Sequence, residues 1–124
     1  MTLPYGALVL EHFRRPRNQR TLERPSASHE SFNPLCGDRV RIEVEVGERA
    51  IRAAAFTANA CAICTASASL LTERVTGMEV EAVARISDAD AVASLESNVP
   101  AARVACAVLP LAALREALRL VSPA

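Results

Sequence analysis

Four cysteines and one aspartate are the residues of this 124-residue chain best placed to do chemistry. Cys36 and Asp38 put a soft sulfur and a hard oxygen two positions apart. Gly37 between them frees the backbone to turn, so that both side chains can face one point. Cys61 stands where a strand pattern gives way to a helical one, and Cys106 stands at or near the start of a second helical stretch. At such helix starts the dipole and the free N–H groups stabilise a thiolate and lower its pKa. Cys64 lies three residues beyond Cys61, about one helical turn on, and can share its face. Ligands drawn from the ends of several elements are how a four-coordinate metal site is usually assembled. Two other readings stand beside it. A lone Cys-x-x-Cys also occurs in redox motifs, although those open a helix after a parallel strand and the strands here look antiparallel. Free cysteines also serve as small buried apolar residues, and Cys64 suits that role best. With no second Cys-x-x-Cys pair, an ordinary zinc ribbon does not fit.

The elements that must position these groups follow from periodicity. Residues 3–13 read as a helix, with Thr2 as its cap, Pro4 in its first turn and Pro16 beyond its end. Tyr5, Leu8, Val9, His12 and Phe13 share its apolar face. His12 on that face is expected to pack rather than to ligate. Residues 14–28 are polar and read as a loop, and residues 28–32 as a short strand before the Asn33-Pro34 turn. Residues 40–46 alternate apolar and polar, the mark of a half-buried strand. After the Gly47-Glu48 turn a second strand covers 50–58, anchored by Phe56, so the two form an antiparallel hairpin. The period then changes to helical over 61–75, with Gly77 as the stop, over 78–85, and over 88–95 with Ser87 as cap. The last helix is expected over 106–121, with Leu109, Leu114, Leu118 and Val121 facing the core. Pro110 is harmless if that helix starts near Ala107 and kinks it if the start is earlier.

Length and composition set the outer bounds. One domain over residues 1–124 is expected, large enough to bury a core without disulfides. The 14 cations, all arginine, balance 14 acidic residues, so no global field favours nucleic acid or a membrane surface. Lysine chemistry is excluded, and aromatics at 3% leave no stacking platform for bases. The N-terminus lacks the basic start of a secretory signal, and no apolar run approaches the roughly 20 residues that span a bilayer. The expectation is a cytoplasmic protein, where four cysteines point to metal or catalysis rather than bridges. Arg14, Arg15, Arg17, Arg20 and Arg24 form either a docking surface for an acidic partner or a solvated face.

Three ordered motifs carry a resemblance. They are Asn33-Pro34-Leu35-Cys36-Gly37-Asp38; Ala60-Cys61-Ala62-Ile63-Cys64-Thr65-Ala66-Ser67-Ala68-Ser69 with Leu70-Leu71-Thr72-Glu73; and Arg103-Val104-Ala105-Cys106. With the early His12-Phe13-Arg14-Arg15-Pro16-Arg17-Asn18, they resemble the U-type iron–sulfur scaffold family of IscU, SufU and NifU N-terminal domain proteins. The likeness runs from about Tyr5 to Leu118. It implies a SufE/NifU-like α+β fold: an N-terminal helix, a three-stranded antiparallel sheet and C-terminal helices packed around it. It implies that Cys36, Asp38, Cys61 and Cys106 surround one site holding a transient [2Fe–2S] cluster or Zn²⁺, with Arg103 supporting its charge. Cys64 falls where the SufU branch has serine and counts as an extra thiol.

The implied function is that of a carrier rather than an enzyme. A cluster is assembled from iron and from sulfur delivered by a cysteine desulfurase, then passed to recipient apo-proteins. Cys106, as an exposed thiolate of low pKa, is the expected persulfide acceptor, with Cys61 next, and Asp38 is the more exchangeable ligand through which the cluster leaves. The alternative is a zinc-dependent sulfurtransferase, and a third reading is a structural zinc domain. Ala105 replaces the histidine of the IscU branch, which makes Asp38 the fourth ligand. Residues 99–103 depart from that branch's chaperone-bound segment, so chaperone binding is not expected. The spacing from Cys61 to Cys106 is too short for the SufU insertion.

Overall fold

The structure is a computed structural model that describes residues 5–121. Strict alternation makes β2 (Arg39–Val46) the centre of the sheet, with Val40, Ile42 and Val44 fully buried on one face. It pairs antiparallel with β1 (Ala27–Phe32) on one side and β3 (Ile51–Asn59) on the other, in the order β1-β2-β3. The register sets Phe32 opposite Arg39 and Ile42 opposite Phe56, and a bulge at Glu45/Val46 precedes the turn into β3. Phe56 is fully buried, as the strand pattern predicts.

The helices among the described residues are α1 (Ala7–Arg14), α2 (Ala62–Val75), α3 (Val80–Val83), α4 (Asp88–Ala93) and α5 (Val104–Val121). The expected Thr2 cap and Pro4 lie outside the described residues. Helix α1 starts later than expected, behind Gly6, and Phe13 faces solvent instead of joining Val9 and His12 in the core. Ser87 caps α4 through a full capping box with Asp90, as predicted. Helix α5 packs over β1 and β2, while α2 lies against β3, α1 and α5. No helix among the described residues is long and apolar enough to cross a membrane.

The alanine and serine content of α2 has a geometric reason. With neighbours on three sides it is buried almost all round, and small side chains let those neighbours approach. Its buried hydroxyls must then find partners. The Ser69 Oγ lies 2.7 Å from His12 Nδ1 and accepts the Arg17 N–H at 2.8 Å. The Thr72 hydroxyl donates to the Ala68 carbonyl and accepts from Asn18 Nδ2. Asn18 takes a positive φ of 64°, which asparagine tolerates. Its carbonyl accepts the Phe56 N–H at 2.9 Å, and the Arg20 N–H donates to the Phe56 carbonyl at 3.0 Å. The loop that follows α1 thus covers the outer edge of β3, and Pro16-Arg17-Asn18 is the bolt that joins α1, α2 and the sheet.

His12 packs as expected and makes this bolt sensitive to acid. Burial, and secondarily the Arg17 charge, hold its pKa below the ordinary 6.5. The unfolded chain therefore takes up the proton first, so stability is level above about pH 6.5 and falls as pH drops below it. Thermal melts between pH 7 and pH 5 should show a larger loss for the natural protein than for His12→Asn, which keeps an acceptor near Ser69 but cannot titrate. Parallel curves would refute the assignment.

Candidate metal centre

The loop from Asn33 to Asp38 joins β1 to β2 and is held by its own backbone. The Asn33 N–H donates to the Asp38 carbonyl at 2.9 Å, and the Gly37 N–H to the Asn33 carbonyl at 2.8 Å. The Asn33 side chain accepts the Leu35 N–H at 3.0 Å, an Asx turn. Gly37 has φ +79°, the left-handed conformation that a side chain would strain. At the loop's base the Arg39 guanidinium lies 4.9 Å over the Phe32 ring. The result presents Leu35 (94% exposed) and Cys36 to solvent and turns Asp38 (6% exposed) inward.

Asp38 meets the start of α2. Cys61 is the N-cap of that helix, and its N–H donates to Asp38 Oδ1 at 3.2 Å. A carboxylate there also faces the positive end of the helix dipole. Its other oxygen, Oδ2, is buried and has no hydrogen-bond partner. A carboxylate oxygen stripped of water and left unpaired is costly, unless a cation belongs beside it.

Cys106 comes from the opposite side as the third residue of α5, not its first as expected. A single 3₁₀ turn, Ala101–Arg103, leads into that helix. Its Sγ lies 3.5 Å from the Cys36 Sγ. One ligand atom from each of Cys36, Asp38 and Cys106 falls within 4.8 Å of the others. Two thiolates on one tetrahedral zinc, at bond lengths of about 2.3 Å, stand about 3.8 Å apart. The donor set and its spacing therefore fit a metal ion. The Cys61 thiol falls outside this 4.8 Å group, although its charge acts on Cys106, and its hydrogen bond to Asp38 is made by the backbone N–H.

The expectation of an exposed, low-pKa thiolate at position 106 is overturned. Cys106 is fully buried, and burial, with the nearby Cys36, Cys61 and Asp38, pushes its thiol up to about 12, against a partial lowering by Arg103. Without metal this sulfur keeps its proton at neutral pH, so a cation must displace that proton to bind. The exposed thiol is Cys36. Arg103, in the 3₁₀ turn just upstream, lies near enough for its charge to act on Cys106.

The NifU-like N terminal domain model matches residues 4–120. The chain belongs to that family. It is similar to an iron-sulfur cluster assembly scaffold protein IscU of Archaeoglobus fulgidus, at 32% identity over 114 residues, covering 92% of this chain and 74% of that protein. It is similar to the bifunctional protein NifU/MnmA of Rubrobacter xylanophilus, at 35% identity over 91% of this chain but only 23% of that protein's length. The crystal structure of the N-terminal part of a nitrogen-fixing NifU-like protein from Brucella abortus superposes with a TM-score of 0.79 at 20% identity, covering 95% of this chain and 94% of that one, and so shares the fold.

Within this NifU-like domain Cys64 is a core residue. It is fully buried among Ile63, Ala66 and their neighbours, and burial drives its thiol pKa far upward. Cys61 packs against the same core, and the charges of Asp38, Cys61, Cys106 and Cys36 add to that rise, so Cys64 sits behind the site as a protonated thiol. In the sequence Ser67 and Ser69 stand out only as members of a motif. In the fold each makes a specific contact. Ser69 binds α1, and the Ser67 hydroxyl donates to the Ala107 carbonyl of α5 at 2.6 Å. Sequence alone signals such roles only through the presence of hydroxyls on a helix otherwise too apolar to be exposed.

Proposed function

We propose that this domain is a scaffold on which an iron–sulfur cluster is built from iron and from sulfur supplied by a cysteine desulfurase, and from which the cluster passes to recipient apo-proteins. The observation that carries this reading is the convergence of Cys36, Asp38 and Cys106 around a buried carboxylate oxygen with no partner. Cys61 supplies the fourth ligand from the N-cap of α2, where no side-chain capping bond holds it. The cluster is cargo. With three thiolates and one carboxylate it carries a net charge near −2, and Arg103 together with the starts of α2 and α5 offsets that charge.

Sulfur enters through the exposed thiol. The Cys36 thiolate attacks the outer sulfur of the donor's persulfide, the donor's S–S bond breaks, and its thiolate leaves. Cys36 then bears the persulfide. Cys106, 3.5 Å away, takes that sulfur by the same exchange once it has lost its proton, which keeps Cys106 as the acceptor that holds sulfur in the site. Reduction to sulfide requires two electrons from an external donor. Leu35, the neighbour of Cys36 in the loop, is apolar and almost wholly exposed, and suits a desulfurase docking over Cys36. Arg15 and Arg17 are engaged with Glu11, so in that run Arg14, Arg20 and Arg24 remain for an acidic partner.

A second reading is favoured by one comparison: the zinc-dependent sulfurtransferase SufU of Bacillus subtilis is 32% identical over 62% of this chain, spanning 52% of that protein. Bound zinc would hold as a thiolate the Cys106 sulfur that the metal-free chain keeps protonated. Protein prepared without oxygen and reconstituted with iron and sulfide should hold iron and acid-labile sulfide in equal amounts and show a coloured cluster. Protein that keeps zinc, refuses iron and accelerates a desulfurase would replace the first reading by the second.

A further inference from the structure

Two features of α5 and α2 meet at the peptide of Cys106. Proline lacks the N–H that a helix donates to the carbonyl four residues earlier. For Pro110, inside α5, that carbonyl belongs to Cys106. The helix runs unbroken from Val104 to Val121, so one rung of its ladder is missing at the residue that carries the buried thiol. The next carbonyl, of Ala107, receives the Ser67 hydroxyl at 2.6 Å in a fully buried contact. A serine in mid-helix commonly turns its hydroxyl back on its own preceding turn. Ser67 reaches across to the neighbouring helix instead. Helix α2 also begins at Cys61, whose N–H holds Asp38. One hydroxyl therefore ties together the two helices that bring Asp38 and Cys106 to the same point.

We infer that Pro110 and Ser67 are positioning residues for the centre, a hinge and a latch acting on the turn that carries Cys106. Pro110 loosens residues 104–107 from the rest of α5 so that Cys106 can shift when an ion enters or leaves. Ser67 fixes where that turn rests. Arg103, in the 3₁₀ turn immediately upstream, moves with it. This inference rests on the proposed metal centre only where it concerns release of the ion; the hinge itself belongs to the metal-free chain.

The test uses the full chain with Ser67→Ala, Ser67→Thr and Pro110→Ala. Two quantities are measured: amide hydrogen exchange of the metal-free protein, and the rate at which bound Zn²⁺ passes to a chelator in excess. Ser67→Ala should speed exchange at residues 104–109 and leave the far half of α5 unchanged. It should also speed Zn²⁺ release by about three- to tenfold, the scale of one lost hydrogen bond. Pro110→Ala, which restores the donor for the Cys106 carbonyl, should slow both by a similar factor. Ser67→Thr keeps the hydroxyl and should return both quantities towards those of the natural protein. Exchange that changes evenly along α5, with Zn²⁺ release unaltered, would make Ser67 and Pro110 ordinary packing residues and overturn the inference. If the natural protein binds no Zn²⁺, the metal-centre reading fails by itself, and the exchange pattern still decides the hinge.

Discussion

Asp38→Asn should make the metal-free protein more stable and weaken its hold on metal. In the free chain the carboxylate has one oxygen on the Cys61 N–H and the other buried with no partner. Asparagine keeps the acceptor for that N–H and removes the buried charge. Relief of an uncompensated buried group is worth about 1–3 kcal/mol, so a gain near the lower end is expected in urea unfolding without metal. Zinc affinity should fall about 100-fold or more, since altering even the groups that support ligands costs 10- to 100-fold. A competition titration against a chromogenic chelator measures it. Asp38→Ala is the control: it removes the acceptor as well, so the metal-free gain should vanish. If Asp38→Asn destabilises the metal-free chain, the buried carboxylate is no liability there, and if it leaves zinc affinity intact, Asp38 is a structural cap of α2 and not a ligand.

The second large effect is on the fold. Phe56→Ala should cost about 3–5 kcal/mol, the range for emptying a buried aromatic site. Small domains are stable by only about 5–15 kcal/mol, so this single change approaches the threshold of folding. The ring of Phe56 is fully buried opposite Ile42, while its backbone N–H and carbonyl hold Asn18 and Arg20. The substitution removes the first role and spares the second. Saturating zinc should recover part of the loss, about 4 kcal/mol at a thousandfold excess over the dissociation constant. Urea unfolding with and without zinc reads both numbers. A cost below about 1 kcal/mol would place the hydrophobic centre elsewhere.

What could be read in advance was governed by local pattern. The alternation of β2 and the Cys61 boundary of α2 are visible because strand and helix periods differ. The Asn33–Asp38 loop is visible because Asn, Pro and Gly announce a turn. Three features needed the folded chain. The covering of β3 by Asn18–Arg20 is a contact across distant sequence with no periodicity of its own. The early start of α5, with Pro110 inside it, runs against local propensity, and packing on α2 and the sheet overrides that propensity. The burial of Cys106 follows from the same shift, because a residue in the first turn can face inward where an N-cap would face water. The three thiols named as ligands by resemblance are not equivalent in space either. Cys36 lies open, Cys106 lies closed in, and Cys61 approaches through its backbone.

The Asn33–Asp38 loop separates two kinds of information. Its shape is written in main-chain bonds, the Asn33 amide and the left-handed Gly37. Leu35 contributes only its N–H to that shape and sends its side chain outward. Position 35 can therefore be rewritten freely without displacing a single donor atom, so the choice of visitor and the grip on the ion are free to evolve independently.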